Sequence, residues 1–121
     1  KKKEIEISDF NISRDYIYID DILTAIFKSI YVNKKKLLLN IGSGKSFKIV
    51  EIIKIIEKFT KKKLIIKKTK KIRNPVQKTK ARIASAKKYL SWEPKFSLKN
   101  GIKKIIEYEK KKSQFSLIAL K

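Results

Sequence analysis

The chain has 121 residues, enough for one modest domain with a core of its own, and 42% hydrophobic content with six Phe, five Tyr and one Trp excludes a disordered polymer. Cys and His are absent, which excludes disulfides, zinc-thiolate sites and catalysis by thiolate or imidazole, so any chemistry must run on Tyr, Lys, Arg, Ser or the carboxylates. The formal charge of +22 invites a polyanion, but Arg14, Arg73 and Arg82 are the only arginines, and the lysines fall in solvated runs such as Lys34-Lys35-Lys36 and Lys61-Lys62-Lys63 at the ends of apolar segments, a poor base for reading nucleic acid.

In chain order, Ile5 and Ile7 alternate with Glu4, Glu6 and Ser8 as in a short strand, and Tyr16 to Ile19 alternate as in a second. Asp20 or Asp21 is then expected to cap a helix running to Ile30, with Ile22, Leu23, Ala25, Ile26 and Ile30 at three- and four-residue spacings. Leu37 to Ile41 is a nearly continuous apolar run, as in a strand covered on both faces, and Gly42-Ser43-Gly44 ends it.

A second amphipathic helix follows, its apolar face made by Phe47, Ile49, Val50, Ile52, Ile53, Ile56 and Phe59. Leu64 to Ile66 reads as a strand, and Lys67 to Lys80, with Asn74-Pro75, as a loop. Ser85 to Leu90 is expected to be a short helix, Ser91 to Ser97 an extended turn holding Trp92 and Pro94, and Leu98 to Lys112 a final helix. Strands alternating with helices imply an α/β fold, and no linker or repeat divides the chain. No apolar run reaches the roughly 20 residues of a membrane span, and Lys1-Lys2-Lys3-Glu4 is not followed by a signal-peptide stretch, so the cytoplasm is the expected compartment. Methionine is missing even at position 1, and a fragment of a longer protein is expected.

Ile41-Gly42-Ser43-Gly44-Lys45-Ser46 looks like the end of a phosphate-binding P-loop, but the glycine required five positions before Gly-Lys-Ser is Leu39, inside the expected strand. A glycine turn leading into a helix is the better account. Tyr31 to Lys35 and Tyr108 to Lys112 match a Tyr-x-x-x-Lys spacing, which carries almost no information where lysine is this common; both tyrosines read as amphipathic helix residues. Arg14 and Arg73 are different. Both lie in expected loops at strand ends, where α/β proteins bind ligands, and a bidentate guanidinium suits a diphosphate far better than an ammonium does.

Arg14-Asp15-Tyr16-Ile17-Tyr18-Ile19-Asp20-Asp21, then Asn40-Ile41-Gly42-Ser43-Gly44, then Lys87-Lys88-Tyr89-Leu90-Ser91-Trp92-Glu93-Pro94, then Leu98-Lys99-Asn100-Gly101-Ile102, resembles the C-terminal part of extended short-chain dehydrogenases, the NAD-dependent nucleotide-sugar epimerases and dehydratases. The likeness runs from about Ser13 to Glu109 in the family's order and spacing. It implies the C-terminal part of a Rossmann-type enzyme, with residues 1–121 as one substrate-binding portion whose helix and strand pack on an upstream dinucleotide-binding domain absent from this chain. By the same resemblance Arg14 and Arg73 grip a nucleotide diphosphate sugar, NAD is bound by the missing N-terminal portion, and the parent enzyme acts in bacterial surface-glycan synthesis.

The sequence departs from the family in several places. Pro75-Val76 stands where the arginine loop usually reads Gly-Asp. Arg82-Ile83-Ala84-Ser85-Ala86 lacks the family's aspartate, leaving Ser85 to cap the short helix; Lys48 precedes Glu51, leaving Ser46 to cap the long one; and Ser91 replaces the glycine before Trp92. No Gly-x-x-Gly-x-x-Gly follows a first strand, so no catalytic, cofactor-binding or metal-binding residue is assigned here, and the chain alone is not expected to transfer hydride. Two other functions remain open to the sequence: a free-standing basic domain for nucleic acid or another polyanion, and an inactive truncated product.

Overall fold

The computed structural model describes residues 4–8, 10–34, 36–69 and 76–118. In order these form β1 (Glu4–Ile7), β2 (Ser13–Arg14), α1 (Ile19–Ser29), β3 (Phe47–Lys48), α2 (Ile49–Thr60), β4 (Ile65–Lys68), α3 (Ala84–Leu90) and α4 (Leu98–Ile118). The architecture is α/β. β1 pairs in parallel with β4, in register from Glu4 opposite Ile65 to Ile7 opposite Lys68, so the chain between them, with α1 and α2, makes the crossover that parallel pairing demands. β2 and β3 form a two-residue antiparallel ladder, Ser13 opposite Lys48 and Arg14 opposite Phe47.

The helices follow the hydrophobic periodicity of the sequence, but their termini do not follow the expected caps. α1 begins at Ile19 with Tyr18 as N-cap residue, and no side chain caps it; Asp20 and Asp21 both lie inside the first turn. Asp21 is 1% exposed, and its carboxylate accepts the main-chain N–H of Lys95 (2.9 Å) and of Phe96 (3.0 Å) instead. Ser46 does not cap α2: Lys48 is the N-cap residue, and the Glu51 carboxylate accepts its N–H at 2.7 Å, while the Ser46 hydroxyl is buried with no hydrogen-bond partner. An ammonium has no acceptor, so only this Glu51 half of a capping box operates. Ser85 likewise lies within α3, whose N-cap residue is Ile83.

Two expected strands are absent. Neither Tyr16 to Ile19 nor Leu37 to Ile41 has a ladder partner among the described residues; Ile17, Leu39 and Ile41 pack instead against a core of Ala25, Ala86, Leu90 and Trp92. α1 buries only Ala25 and Asp21, and leaves Leu23, Ile26, Phe27 and Ile30 55 to 71% exposed, so its apolar side chains do not share one covered face. Among the described residues no helix is long and apolar enough to cross a membrane.

Trp92 is buried in this core. Its indole N–H, buried with the ring, donates to the Asp21 carbonyl and to the Thr24 hydroxyl, both at 3.0 Å. Ser91 keeps the left-handed conformation (φ 48°) that glycine adopts freely, so the turn persists without the glycine. Lys28 donates its ammonium to the Ser91 carbonyl, and Lys87 pairs with Glu93 at 2.8 Å. Gly101 in the first turn of α4 lets the helix lie on Tyr18, whose ring a Cβ would meet at 3.2 Å.

Candidate anion-binding site

Arg14 ends β2, where the strand leaves its short ladder. Its Nη1 donates to the Ser13 carbonyl at 2.9 Å and to the Val76 carbonyl at 2.7 Å, which takes two of the five guanidinium donors. The segment after Val76 is laced to the same strand: Ser13 N–H donates to the Gln77 carbonyl at 2.8 Å, Thr79 N–H returns to the Ser13 carbonyl at 3.1 Å, and Asp15 N–H reaches the Thr79 hydroxyl at 3.3 Å. The loop expected at Lys67 to Lys80 is therefore strand-like at both ends, with β4 reaching Lys68 and an isolated parallel bridge between Ser13 and Lys78. Arg73, the second expected diphosphate ligand, lies outside the described residues, three positions before the Val76 carbonyl that Arg14 holds.

The next residue, Asp15, was not singled out by sequence reasoning. One carboxylate oxygen accepts the Ser43 N–H (2.7 Å) and hydroxyl (2.6 Å); the other accepts the Gly44 N–H (3.0 Å) and the Ala81 N–H (2.9 Å). Partial burial by itself would raise the Asp15 pKa, but the bonds from the Ser43 hydroxyl and from the Ala81, Ser43 and Gly44 amides together outweigh it and hold the carboxyl below its ordinary value. The signal was present in the sequence: a Gly-Ser-Gly turn exposes consecutive amides that need an acceptor, and Asp15 was the carboxylate beside the motif arginine.

This arrangement removes the P-loop reading on geometric grounds, because the amides that would cradle a phosphate are already taken by Asp15. A Cβ on Gly42 would come within 2.4 Å of the Ala81 Cβ, and Gly44 sits at φ 69°. The residues present do not fit a dinucleotide either, since all three glycines, Gly42, Gly44 and Gly101, are pressed against Ala81, Ile83 or Tyr18. Among the described residues no cluster of carboxylates could hold a metal ion.

Beyond Asp15 the chain runs through Tyr16, Ile17 and Tyr18 along an apolar cleft of about 380 Å³ between α2 and α4, walled by Ile49, Ile52, Ile102 and Phe96. The Tyr18 and Phe96 rings meet at 4.7 Å between centroids. Of the two Tyr-x-x-x-Lys tyrosines, Tyr31 lies in the turn after α1 rather than on a helix and is 73% exposed, while Tyr108 lies on α4, 64% exposed, beside Ile17 and Tyr18. Chemically, the described residues offer a guanidinium for an anion and an apolar wall beside it, with no acid-base pair.

No protein-family model matches the chain. It is 34% identical over 112 residues to the UDP-glucuronate 4-epimerase of Thermodesulfobacterium geofontis, covering 91% of this chain and 34% of that protein. Its fold superimposes on the UDP-glucose 4-epimerase of Thermotoga maritima, solved with UDP-glucose, at a TM-score of 0.79 and 29% identity, covering 93% of this chain and 36% of the other. It also superimposes on the UDP-glucuronic acid 4-epimerase of Bacillus cereus, solved with UDP-glucuronic acid and NAD, at a TM-score of 0.74 and 28% identity, over 84% of this chain and 33% of the other. The chain thus spans about a third of the length of the relatives it matches. Order of motifs, α/β fold and relatives agree: the chain belongs to the extended short-chain dehydrogenases, the nucleotide-sugar epimerase and dehydratase family, and corresponds to the C-terminal part of such a protein.

Proposed function

We propose that the chain is the nucleotide-sugar-binding part of an NAD-dependent sugar epimerase or dehydratase, a single unit acting with a dinucleotide-binding portion of the same protein. The observation that carries this reading is the setting of Arg14: a guanidinium at a strand end, anchored through Nη1 to the main chain three residues beyond Arg73. A guanidinium suits the phosphates of a nucleotide diphosphate, which bidentate bonds hold with both charge and direction, and Arg73 is proposed as its second partner from the sequence. The apolar cleft begins two residues further along the same segment.

NAD supplies the uptake and return of hydride in such an enzyme, and the described residues of this chain do not form its site. The uncovered apolar side of α1, with Leu38 95% exposed, suits burial against the dinucleotide-binding portion. That portion would also give the unpaired segments Tyr16 to Ile19 and Leu37 to Ile41 their sheet partners. We place the protein in the cytoplasm, and assign its product to bacterial surface-glycan synthesis. A free-standing polyanion binder is the weaker reading, because the +22 charge is spread over scattered lysines while the relatives along the chain are sugar-nucleotide enzymes.

The test is substitution of each arginine in the full-length protein. Arg14→Ala and Arg73→Ala each weaken UDP-sugar binding by about 1.5 to 3 kcal/mol, the worth of a charged hydrogen bond. Unchanged affinity in both variants removes the assignment.

A further inference from the structure

We propose that Asp15 is a positioning residue for the diphosphate grip: its carboxylate clamps the Gly42–Gly44 turn and the segment at Ala81 together, and so fixes Arg14 against the segment that begins at Val76. The proposal rests on the diphosphate reading of Arg14. Three observations carry it. Asp15 follows Arg14 directly, so any shift of its backbone moves the guanidinium. Its four acceptor bonds reach two segments that are distant in sequence, 28 and 29 residues away at Ser43 and Gly44 and 66 away at Ala81. Finally, the stretch it pins at Ala81 continues through Thr79, Gln77 and Val76, each bonded to residues 13 to 15.

The clamp is specific for a carboxylate. Both oxygens face N–H donors, Ser43 on one side and Gly44 with Ala81 on the other, so an asparagine in the same pose must turn its NH₂ group against at least one of them. A lost acceptor there leaves partly buried amides unpaired, and the Gly44 and Ala81 segments are free to separate. Neither Ser43 nor Ala81 need touch a ligand for this to matter. What changes is the position of the Arg14 guanidinium, and the effect of a small displacement on a group that must meet a phosphate in a fixed geometry is large.

The experiment measures UDP-glucose and NAD affinity separately in the full-length protein for Asp15→Asn, Ser43→Ala, Arg14→Ala and the Asp15→Asn/Arg14→Ala pair. The expected result is a loss of UDP-glucose affinity of about tenfold in Asp15→Asn and a smaller loss in Ser43→Ala, which removes one of the four donors. NAD affinity stays as in the parent, whereas general unfolding would lower both. The double variant binds UDP-glucose no worse than Arg14→Ala alone, because Asp15 acts through that arginine. Should Asp15→Asn not fold, the milder Ser43→Ala decides. The proposal is overturned if the folded variants keep parental UDP-glucose affinity while Arg14→Ala loses it, or if the losses in the double variant add. If Arg14→Ala itself binds as the parent does, the diphosphate reading fails first and this proposal falls with it.

Discussion

Asp21 and Trp92, far apart in sequence, hold one another through main chain and side chain at once: the Trp92 indole N–H donates to the Asp21 carbonyl at 3.0 Å, and the Asp21 carboxylate accepts the amides of Lys95 and Phe96 in the turn that Trp92 begins. The start of α1 is thereby locked to the approach of α4. Both residues are essentially buried, so each bond replaces solvation that neither partner can recover.

Asp21→Asn is therefore expected to destabilise the fold by about 1 to 3 kcal/mol, the cost of leaving a buried donor unsatisfied, since one amide must face the NH₂ group. A urea unfolding curve whose midpoint falls with unchanged slope shows it. A midpoint equal to the parent's denies the lock.

Ser91→Gly should stabilise the fold by about 0.5 to 1 kcal/mol. A serine in the left-handed region is strained, glycine is not, and the larger freedom of glycine in the unfolded chain offsets only part of the relief. The unfolding midpoint rises if this is right and falls if the Ser91 side chain contributes more than its backbone costs.

Gly42→Ala should destabilise by about 1 to 3 kcal/mol, because its Cβ would sit 2.4 Å from that of Ala81 and 3.0 Å from the Asp15 carboxylate. Ala81→Gly in the Gly42→Ala background removes the nearer contact, and partial recovery of the midpoint is the expected result.

The depressed pKa of Asp15 sets an acid limb. A carboxyl whose folded pKa lies below its unfolded value contributes stability that is complete above the ordinary aspartate value of 3.8 and is lost as pH falls through the lower folded value. Stability of the parent should accordingly drop across that window more steeply than that of Asp15→Asn, which has no proton to take up there. Parallel acid limbs in the two proteins contradict the clamp.

The helices were legible because periodicity is local: α1, α2, α3 and α4 all fall where apolar residues recur every three or four positions. Strands were legible only where a partner is present. Ile5 and Ile7 find β4, whereas Leu37 to Ile41 has the composition of a buried strand and no ladder partner among the described residues, since a ladder is a property of two segments. Caps failed for a related reason. An aspartate at a helix start is a good local cap, but Asp21 has amides 74 and 75 residues away to bind, and nothing within α1 announces them. At the site, Arg14 was readable as a scarce guanidinium at a strand end; the Gly-Ser-Gly turn announced amides in need of an acceptor, but not that Asp15 would meet them, because the clamp is assembled from three segments that only the fold brings together.

A grip on diphosphate through Arg14 is tested by calorimetric titration of the full-length protein with UDP and with uridine, in the parent and in Arg14→Ala. UDP should bind the parent far more tightly than uridine does, and most of this advantage should disappear in Arg14→Ala while uridine affinity is unchanged. An advantage of UDP over uridine that survives intact in Arg14→Ala would contradict it.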